Sequence, residues 1–208
     1  IGTLGINDGT GLASNYNLTT GTFDITQRWV TLTGTRSYDG TATADSSDLV
    51  ISNLVAGETL GLTGNGTVAS KNVGSNKAIT DVSLTLTDGS GLASNYTIGT
   101  KTFNITQQAI SIDGSKVYDG NTTVAAANIS TFNGLALTET LTISGSGTVT
   151  APQVGTNKTV TLGTLALADG TNGGEASNYS LASGTFDVTA RPITLSGSRE
   201  YDGTTTVV

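Results

Sequence analysis

The sequence of 208 residues contains no cysteine, no histidine and no methionine. The lack of cysteine excludes disulfide bonds, thiolate nucleophiles and cysteine-ligated metals. The lack of histidine excludes Ser-His-Asp triads, histidine-ligated zinc and imidazole acid/base catalysis. We therefore expect a protein that is not an enzyme, with no catalytic residue, no cofactor and no metal site.

Charged side chains are also scarce, at 12% of residues, and acidic residues outnumber basic ones by 16 to 9. The net charge of −7 and the lack of a basic stripe disfavour binding to nucleic acid, because that binding needs lysine and arginine to neutralise phosphates. No apolar run approaches the roughly 18 residues of a membrane-spanning helix. We expect neither a nucleic-acid partner nor a membrane span in this segment.

Glycine is abundant at 28 residues, proline occurs only twice, and threonine, serine and asparagine make up much of the rest. Short segments alternate apolar and polar side chains, as in Phe103 with Ile105 and Phe186 with Val188. Such alternation is typical of half-buried strands. About seven of these segments, separated by Gly, Asn and Asp turn signals, fall in every 80 or so residues, which predicts an all-β fold.

The sequence repeats itself, which is the sign of a modular array. Tyr-Asp-Gly and Ser-Asn-Tyr each occur three times, with the same spacings of 80 and 83 residues, and Thr-Phe-x-[Ile/Val]-Thr closes each unit. The extra residues of the longer unit fall in turns. We predict two complete repeats, repeat 1 (29–108) and repeat 2 (109–191), between the C-terminal part of a preceding repeat (1–28) and the N-terminal part of a following one (192–208). We expect the array to continue at both ends.

The junction between repeats is short, because the last apolar residue of one and the first of the next, such as Ile105 and Ile110, lie five positions apart. The odd spacing predicts a bend or bulge, and it leaves no room for a flexible linker. Seven short strands with alternating faces predict an immunoglobulin-like sandwich. The predicted fold class is all-β, with tandem immunoglobulin-like β-sandwich repeats of about 80 residues forming an elongated rod.

The three Tyr-Asp-Gly segments, with their Ser-Asn-Tyr and Thr-Phe-x-[Ile/Val]-Thr companions, resemble the YDG- and MBG-type repeat domains of filamentous-haemagglutinin-like bacterial proteins. The resemblance covers essentially the whole chain. It implies a large adhesin or biofilm-matrix protein that is secreted or attached to the bacterial cell surface. It brings no catalytic residue with it.

We interpret Tyr-Asp-Gly as a turn near the junction, in which glycine takes a left-handed conformation and aspartate binds the backbone two residues on. The alternative is a ligand or Ca²⁺ contact, but one carboxylate per repeat falls short of a calcium cage. The predicted turn and junction residues are Tyr38, Asp39, Gly40, Tyr118, Asp119, Gly120, Tyr201, Asp202 and Gly203.

The tyrosines of Ser-Asn-Tyr each open a strand, seven residues before a phenylalanine. We predict that Tyr16, Tyr96 and Tyr179 are core residues whose hydroxyls bind back to the backbone, as in a tyrosine corner. Binding of sugars by these rings is the alternative. Lys77 and Lys158 recur in Val-Gly-x-Asn-Lys, and we expect exposed edge lysines that discourage aggregation rather than isopeptide crosslinks.

These features favour a structural function, as a stalk or fibre segment whose partners are neighbouring repeats of the same chain or fibre. The alternative is a module that binds glycans or host proteins of the cell surface or matrix multivalently through its loops. A glycosidase needs two carboxylates in one cleft, whereas Glu58 and Glu139 recur once per repeat.

Overall fold

The computed structural model describes residues 4–205, without the side chains of residues 81 and 82. The described residues form strands and short 3-10 turns, with no α-helix. This confirms the all-β prediction. No helix among residues 4–205 is long and apolar enough to cross a membrane.

Each repeat contains eight strands rather than about seven. Those of repeat 1 are β1 (Arg28–Ser37), β2 (Thr43–Asp45), β3 (Leu49–Ser52), β4 (Leu60–Thr63), β5 (Asn65–Val68), β6 (Gly74–Val82), β7 (Thr85–Asp88) and β8 (Tyr96–Thr106). Those of repeat 2 are β9 (Gln108–Val117), β10 (Thr123–Ala125), β11 (Ile129–Asn133), β12 (Leu141–Ser144), β13 (Ser146–Val149), β14 (Gly155–Thr161), β15 (Ala166–Asp169) and β16 (Tyr179–Thr189).

The two repeats have the same sheet topology. A six-stranded sheet has the order β2-β5-β6-β8-β1-β3 in repeat 1 and the equivalent order β10-β13-β14-β16-β9-β11 in repeat 2. The remaining strands form two-stranded sheets, β4 with β7 and β12 with β15. The immunoglobulin-like arrangement, the rod and the domain boundaries stay predictions.

The first and last strands of each repeat pair in parallel. Arg28 at the start of β1 lies opposite Tyr96 at the start of β8, and Ser37 lies opposite Thr106 at their ends. The strands β9 and β16 pair in the same way. The chain therefore enters a repeat at one end of this parallel strand pair and leaves the repeat at the opposite end.

The core follows the predicted alternation. Phe103 and Ile105 of β8 are buried against Leu32 of β1 in one hydrophobic cluster. The equivalent residues Phe186 and Val188 of β16 are buried in a second cluster. The first cluster also contains residues from both repeats, so its apolar packing continues across the junction.

The junction is as short as the sequence predicts, because Gln107 alone separates β8 from β9. An irregularity also occurs near the start of each last strand, β8 and β16, which has one extra residue opposite the first strand. The pairing of β1 with β8 shifts register between Val30 and Leu32, and that of β9 with β16 shifts between Leu181 and Ser183. Each shift marks a β-bulge of the kind that bends a strand.

Two predictions about single residues are wrong. Tyr16 is 67% exposed and is not a core residue, because residues 4–27 form no strand that could cover it. Lys77 is not on an edge strand, since β6 lies between β5 and β8. Its Nζ donates to the Ser70 carbonyl at 3.2 Å, as Lys158 does to the Ala151 carbonyl at 3.3 Å.

Candidate functional site at the contact between repeats

The best-developed polar site in the described residues lies where repeat 1 contacts repeat 2, and we call it the junction site. Repeat 1 contributes its Tyr-Asp-Gly end, which comprises Tyr38, Gly40, Lys71, Asn72 and Val73. Repeat 2 contributes its glutamate end, which comprises Ala136, Leu137, Glu139, Glu175, Asn178 and Tyr179. The contacts between these two ends are described below.

The Tyr-Asp-Gly turn fixes Tyr38 directly after β1. Asp39 Oδ1 accepts hydrogen bonds from the Thr41 backbone N–H at 2.8 Å and from its hydroxyl at 3.0 Å. Gly40 has a φ of 83°, a left-handed conformation that favours glycine. The Tyr38 N–H donates to the Thr106 carbonyl at 2.9 Å. The turn thus holds the tyrosine at the point where β8 leaves the repeat.

A basic residue two positions before each tyrosine belongs to the same turn, and the sequence interpretation missed it. Arg36 pairs with Asp39, Lys116 pairs with Asp119 at 2.9 Å, and Arg199 pairs with Asp202. The hydrogen bond from Lys116 is the main cause of a lowered pKa of Asp119. The recurrence of [Arg/Lys]-x-Tyr-Asp-Gly was the available signal.

The aspartates of these turns therefore form ion pairs and hydrogen bonds within their own turns. Asp119 Oδ1 also accepts from the Asn121 N–H at 3.1 Å, and Asp202 Oδ1 accepts from the Thr204 N–H at 3.0 Å. The bond from the Thr204 backbone is the first cause of a lowered pKa of Asp202. Within residues 4–205, no three Asp, Glu, His or Cys side chains cluster as metal ligands would.

The glutamate end is organised around Tyr179, which opens β16 directly after a 3-10 turn (Ala176–Asn178). Its hydroxyl accepts a hydrogen bond from the Ala136 N–H at 3.1 Å and donates one to Glu139 Oε2 at 2.6 Å. Tyr179 is buried. The hydroxyl is bound to the backbone, and it also positions a carboxylate.

Glu139 receives its other hydrogen bonds from repeat 1. The Tyr38 hydroxyl donates to Glu139 Oε1 at 2.6 Å, and Lys71 Nζ lies 2.5 Å from the same oxygen. The Tyr38 and Tyr179 rings meet edge to face, with centroids 5.4 Å apart and planes at 80°, a favoured aromatic geometry. Glu139 is only 5% exposed, so its buried charge is compensated by hydrogen bonds and by one ion pair.

The protonation states follow from this arrangement. Burial alone would raise the pKa of Glu139, but hydrogen bonds from Lys71, Tyr179 and Tyr38 outweigh it and lower that pKa. Burial and the bond to Glu139 raise the pKa of Tyr179 to about 12 and also raise the pKa of Tyr38. The hydrogen bond to Glu139 raises the pKa of Lys71. At neutral pH the site holds a carboxylate, an ammonium and two neutral phenols.

A second set of hydrogen bonds surrounds Asn178, which is fully buried. Its Oδ1 accepts from the Val73 N–H at 2.9 Å, and its Nδ2 donates to Asn72 Oδ1 at 3.1 Å. Asn72 Nδ2 in turn donates to Glu175 Oε2 at 2.8 Å. The junction linker is also tied down, because Gln107 Nε2 donates to the Ser177 carbonyl at 3.1 Å.

Repeat 1 has its own glutamate end, built in the same way. The Tyr96 hydroxyl accepts from the Val55 N–H at 3.1 Å and donates to Glu58 Oε2. That bond to Glu58 is the main cause of a raised pKa of Tyr96. A cleft of about 460 Å³ lies beside Glu58 and Tyr96.

The predicted residues are thus placed in three situations. Tyr38 and Tyr179 meet at the junction site, and Tyr96 is buried within repeat 1. Tyr118 is 39% exposed and Tyr201 is exposed. Glu58 and Glu139 do not share a cleft, since each lies in its own glutamate end.

The comparisons with known proteins agree with the repeat pattern. The family model described as YDG domain matches residues 25–103 and residues 100–186. Both segments begin and end several residues before the boundaries that we predict. No curated protein and no solved structure matches the chain. Because the two adjacent matches span most of the chain, it belongs to the YDG domain family.

Proposed function

We propose that this chain is a structural segment of a fibre or stalk, within a secreted or surface-attached bacterial adhesin or biofilm-matrix protein. The junction site is the observation that carries the proposal. A linker of one residue, Gln107, joins two sheets, and a buried carboxylate of repeat 2 is neutralised by groups of repeat 1. Such a contact favours one fixed orientation of the two repeats, as a stalk requires.

The direction of the strands supports the same proposal. Because β1 and β8 run parallel, the chain leaves the repeat at the end of the strands opposite to the one where it entered. A ten-residue strand spans roughly 33 Å. Repeats joined in this way advance along the strand direction, which is how a short repeat builds a long structure.

The chemistry of the junction site suits a fibre without disulfides. Tyr38 and Tyr179 give the contact apolar area and edge-to-face packing. Lys71, Asn72 and Asn178 give it directional bonds. Removing one partner would leave a buried group unsatisfied, so the contact resists partial opening.

Immunogold electron microscopy on intact cells of the organism that makes the protein tests this function. Antibody raised against the 208-residue chain should label fibres outside the cell envelope. Labelling that appears only after the cells are lysed would overturn the proposal. The binding alternative is tested separately on a glycan array and on host cells, where a stalk segment should bind nothing.

A further inference from the structure

The two glutamate ends present equivalent groups but differ in what lies against them. Val55 is 47% exposed, whereas its equivalent Ala136, covered by the Tyr-Asp-Gly end of repeat 1, is 8% exposed. Asn95 is exposed, whereas its equivalent Asn178 is fully buried. Repeat 1 therefore has an open copy of a surface that repeat 2 shows in its covered state.

At the open glutamate end of repeat 1, one of the two carboxylate oxygens of Glu58 is available to a binding partner. Glu58 Oε2 accepts from Tyr96, as Glu139 Oε2 accepts from Tyr179. In repeat 2 the other oxygen, Oε1, accepts from Tyr38 and Lys71. No side chain among residues 4–205 donates to Glu58 Oε1 in that way.

The chain segment before repeat 1 already lies as it does at the covered end. Gln27 Nε2 donates to the Ser94 carbonyl at 3.0 Å, just as Gln107 Nε2 donates to the Ser177 carbonyl at 3.1 Å. Ile25 to Arg28 line the cleft beside Glu58. The linker is thus in the position that a docked preceding repeat would require.

The other half of the contact, the Tyr-Asp-Gly end, is open on repeat 2. Its Tyr-Asp-Gly end exposes Tyr118 and Val154, whereas Tyr38 of repeat 1 is buried. Pro152 stands where repeat 1 has Lys71, and Leu92 stands where repeat 2 has Glu175. The open Tyr-Asp-Gly end therefore lacks the ammonium, and the open glutamate end lacks one carboxylate and exposes Leu92. A contact between these two open surfaces would therefore give Glu58 a tyrosine hydroxyl as donor but no ammonium.

We propose that the Glu58–Tyr96 end of repeat 1 binds the Tyr-Asp-Gly end of another YDG repeat, whose last strands residues 4–27 would supply. The tyrosine of that repeat donates to Glu58 Oε1, and Asn95 takes the place of Asn178 in the hydrogen bonds around it. Residues Asp8–Tyr16 match Asp88–Tyr96 in sequence, so they fit the strand-opening segment of such a repeat. The inference rests on the stacking proposed above.

The test uses cysteine labelling, because the chain contains no cysteine. In the 208-residue chain, Val55→Cys should react with a maleimide rapidly and Ala136→Cys slowly. Residues 109–161 are then duplicated ahead of Ile1, which completes a preceding repeat of the repeat 2 type. This addition should slow the labelling of Val55→Cys by about ten-fold or more, since a contact must open before the thiol reacts.

Tyr118→Ala in the added copy should restore rapid labelling. A second extended chain carries residues 29–80 ahead of Ile1. Its added repeat therefore presents copies of Tyr38 and Lys71 as possible donors to Glu58. If Val55→Cys stays equally reactive in both extended chains while Ala136→Cys is protected, this inference is overturned and the stalk stands. If Ala136→Cys reacts as fast as Val55→Cys in the 208-residue chain, the stalk proposal fails as well.

Discussion

The two glutamate ends form an internal comparison within one chain. Tyr96 and Tyr179 are both buried and both bind the backbone of their own repeat. The carboxylates differ, because Glu139 is buried under repeat 1 while Glu58 borders an open cleft. The tyrosine is thus placed by its own repeat, and the burial of the glutamate depends on the neighbouring repeat. A single repeat therefore carries a preformed surface that only stacking completes.

Replacing the two glutamates gives the largest expected difference. Glu139→Ala leaves the Tyr38 and Tyr179 hydroxyls and Lys71 without their acceptor in a buried site. We expect a loss of about 3 kcal/mol in the free energy of unfolding, measured by urea denaturation at pH 7. Glu58→Ala deprives only the Tyr96 hydroxyl of its acceptor, so it should lower the free energy of unfolding clearly less. Equal losses would contradict the difference between the two ends.

Two glycines test the close approach of the repeats. Gly40 and Gly120 share a φ of 83°, so replacement by alanine should cost each about 1 kcal/mol. A Cβ at Gly40 would also lie 2.9 Å from Leu137 Cδ1 across the junction, whereas nothing lies within 4 Å at Gly120. We expect Gly40→Ala to lose about 2 kcal/mol in the same assay. A larger loss for Gly120→Ala would count against the contact.

The tyrosines of the two Tyr-Asp-Gly ends give a smaller, cleaner pair. Tyr38→Phe removes the hydrogen bond to Glu139 and keeps the ring, so the expected loss is about 1 kcal/mol. Tyr118→Phe changes a partly exposed hydroxyl and should leave the free energy of unfolding unchanged. Thermal unfolding of the two variants beside the wild type decides between these outcomes.

Alkaline pH should weaken the junction through Tyr179. Its pKa is raised to about 12 in the fold from 10.0, so the unfolded chain loses this proton first as pH rises. The stabilisation that Tyr179 contributes below pH 10 is therefore lost between pH 10 and 12. At pH 11 the free energy of unfolding falls by at most roughly 1 kcal/mol. Tyr179→Phe should flatten this part of the stability profile, and Tyr118→Phe should not. Identical slopes in wild type and Tyr179→Phe would exclude the effect.

Much of the fold could be predicted because it depends on local patterns. The alternation around Phe103 and Phe186 places both rings in the core, and the spacing of Tyr-Asp-Gly gives the repeats and the turn that Gly40 adopts. The parallel pairing of first and last strands could not be predicted, because it joins residues some 70 positions apart that no turn signal links.

The junction site was harder still to predict. Glu58 and Glu139 recur at similar offsets, 36 and 38 residues before the serine of Ser-Asn-Tyr, and that recurrence was a usable signal. It does not show that one copy is covered and the other open. Lys71 has no counterpart, since Pro152 replaces it in repeat 2. Self-comparison therefore passes over the residue that pairs with the buried carboxylate.

The central claim is that repeat 1 holds the glutamate end of repeat 2 in one fixed orientation. Spin labels at Thr87→Cys on β7 and Ala168→Cys on β15, both exposed equivalent positions, allow the distance between the repeats to be measured by pulsed electron paramagnetic resonance. We predict one narrow distance peak that Glu58→Ala leaves unchanged and Glu139→Ala broadens. A broad distribution in the otherwise unmodified chain, or one indifferent to Glu139→Ala, would contradict the account.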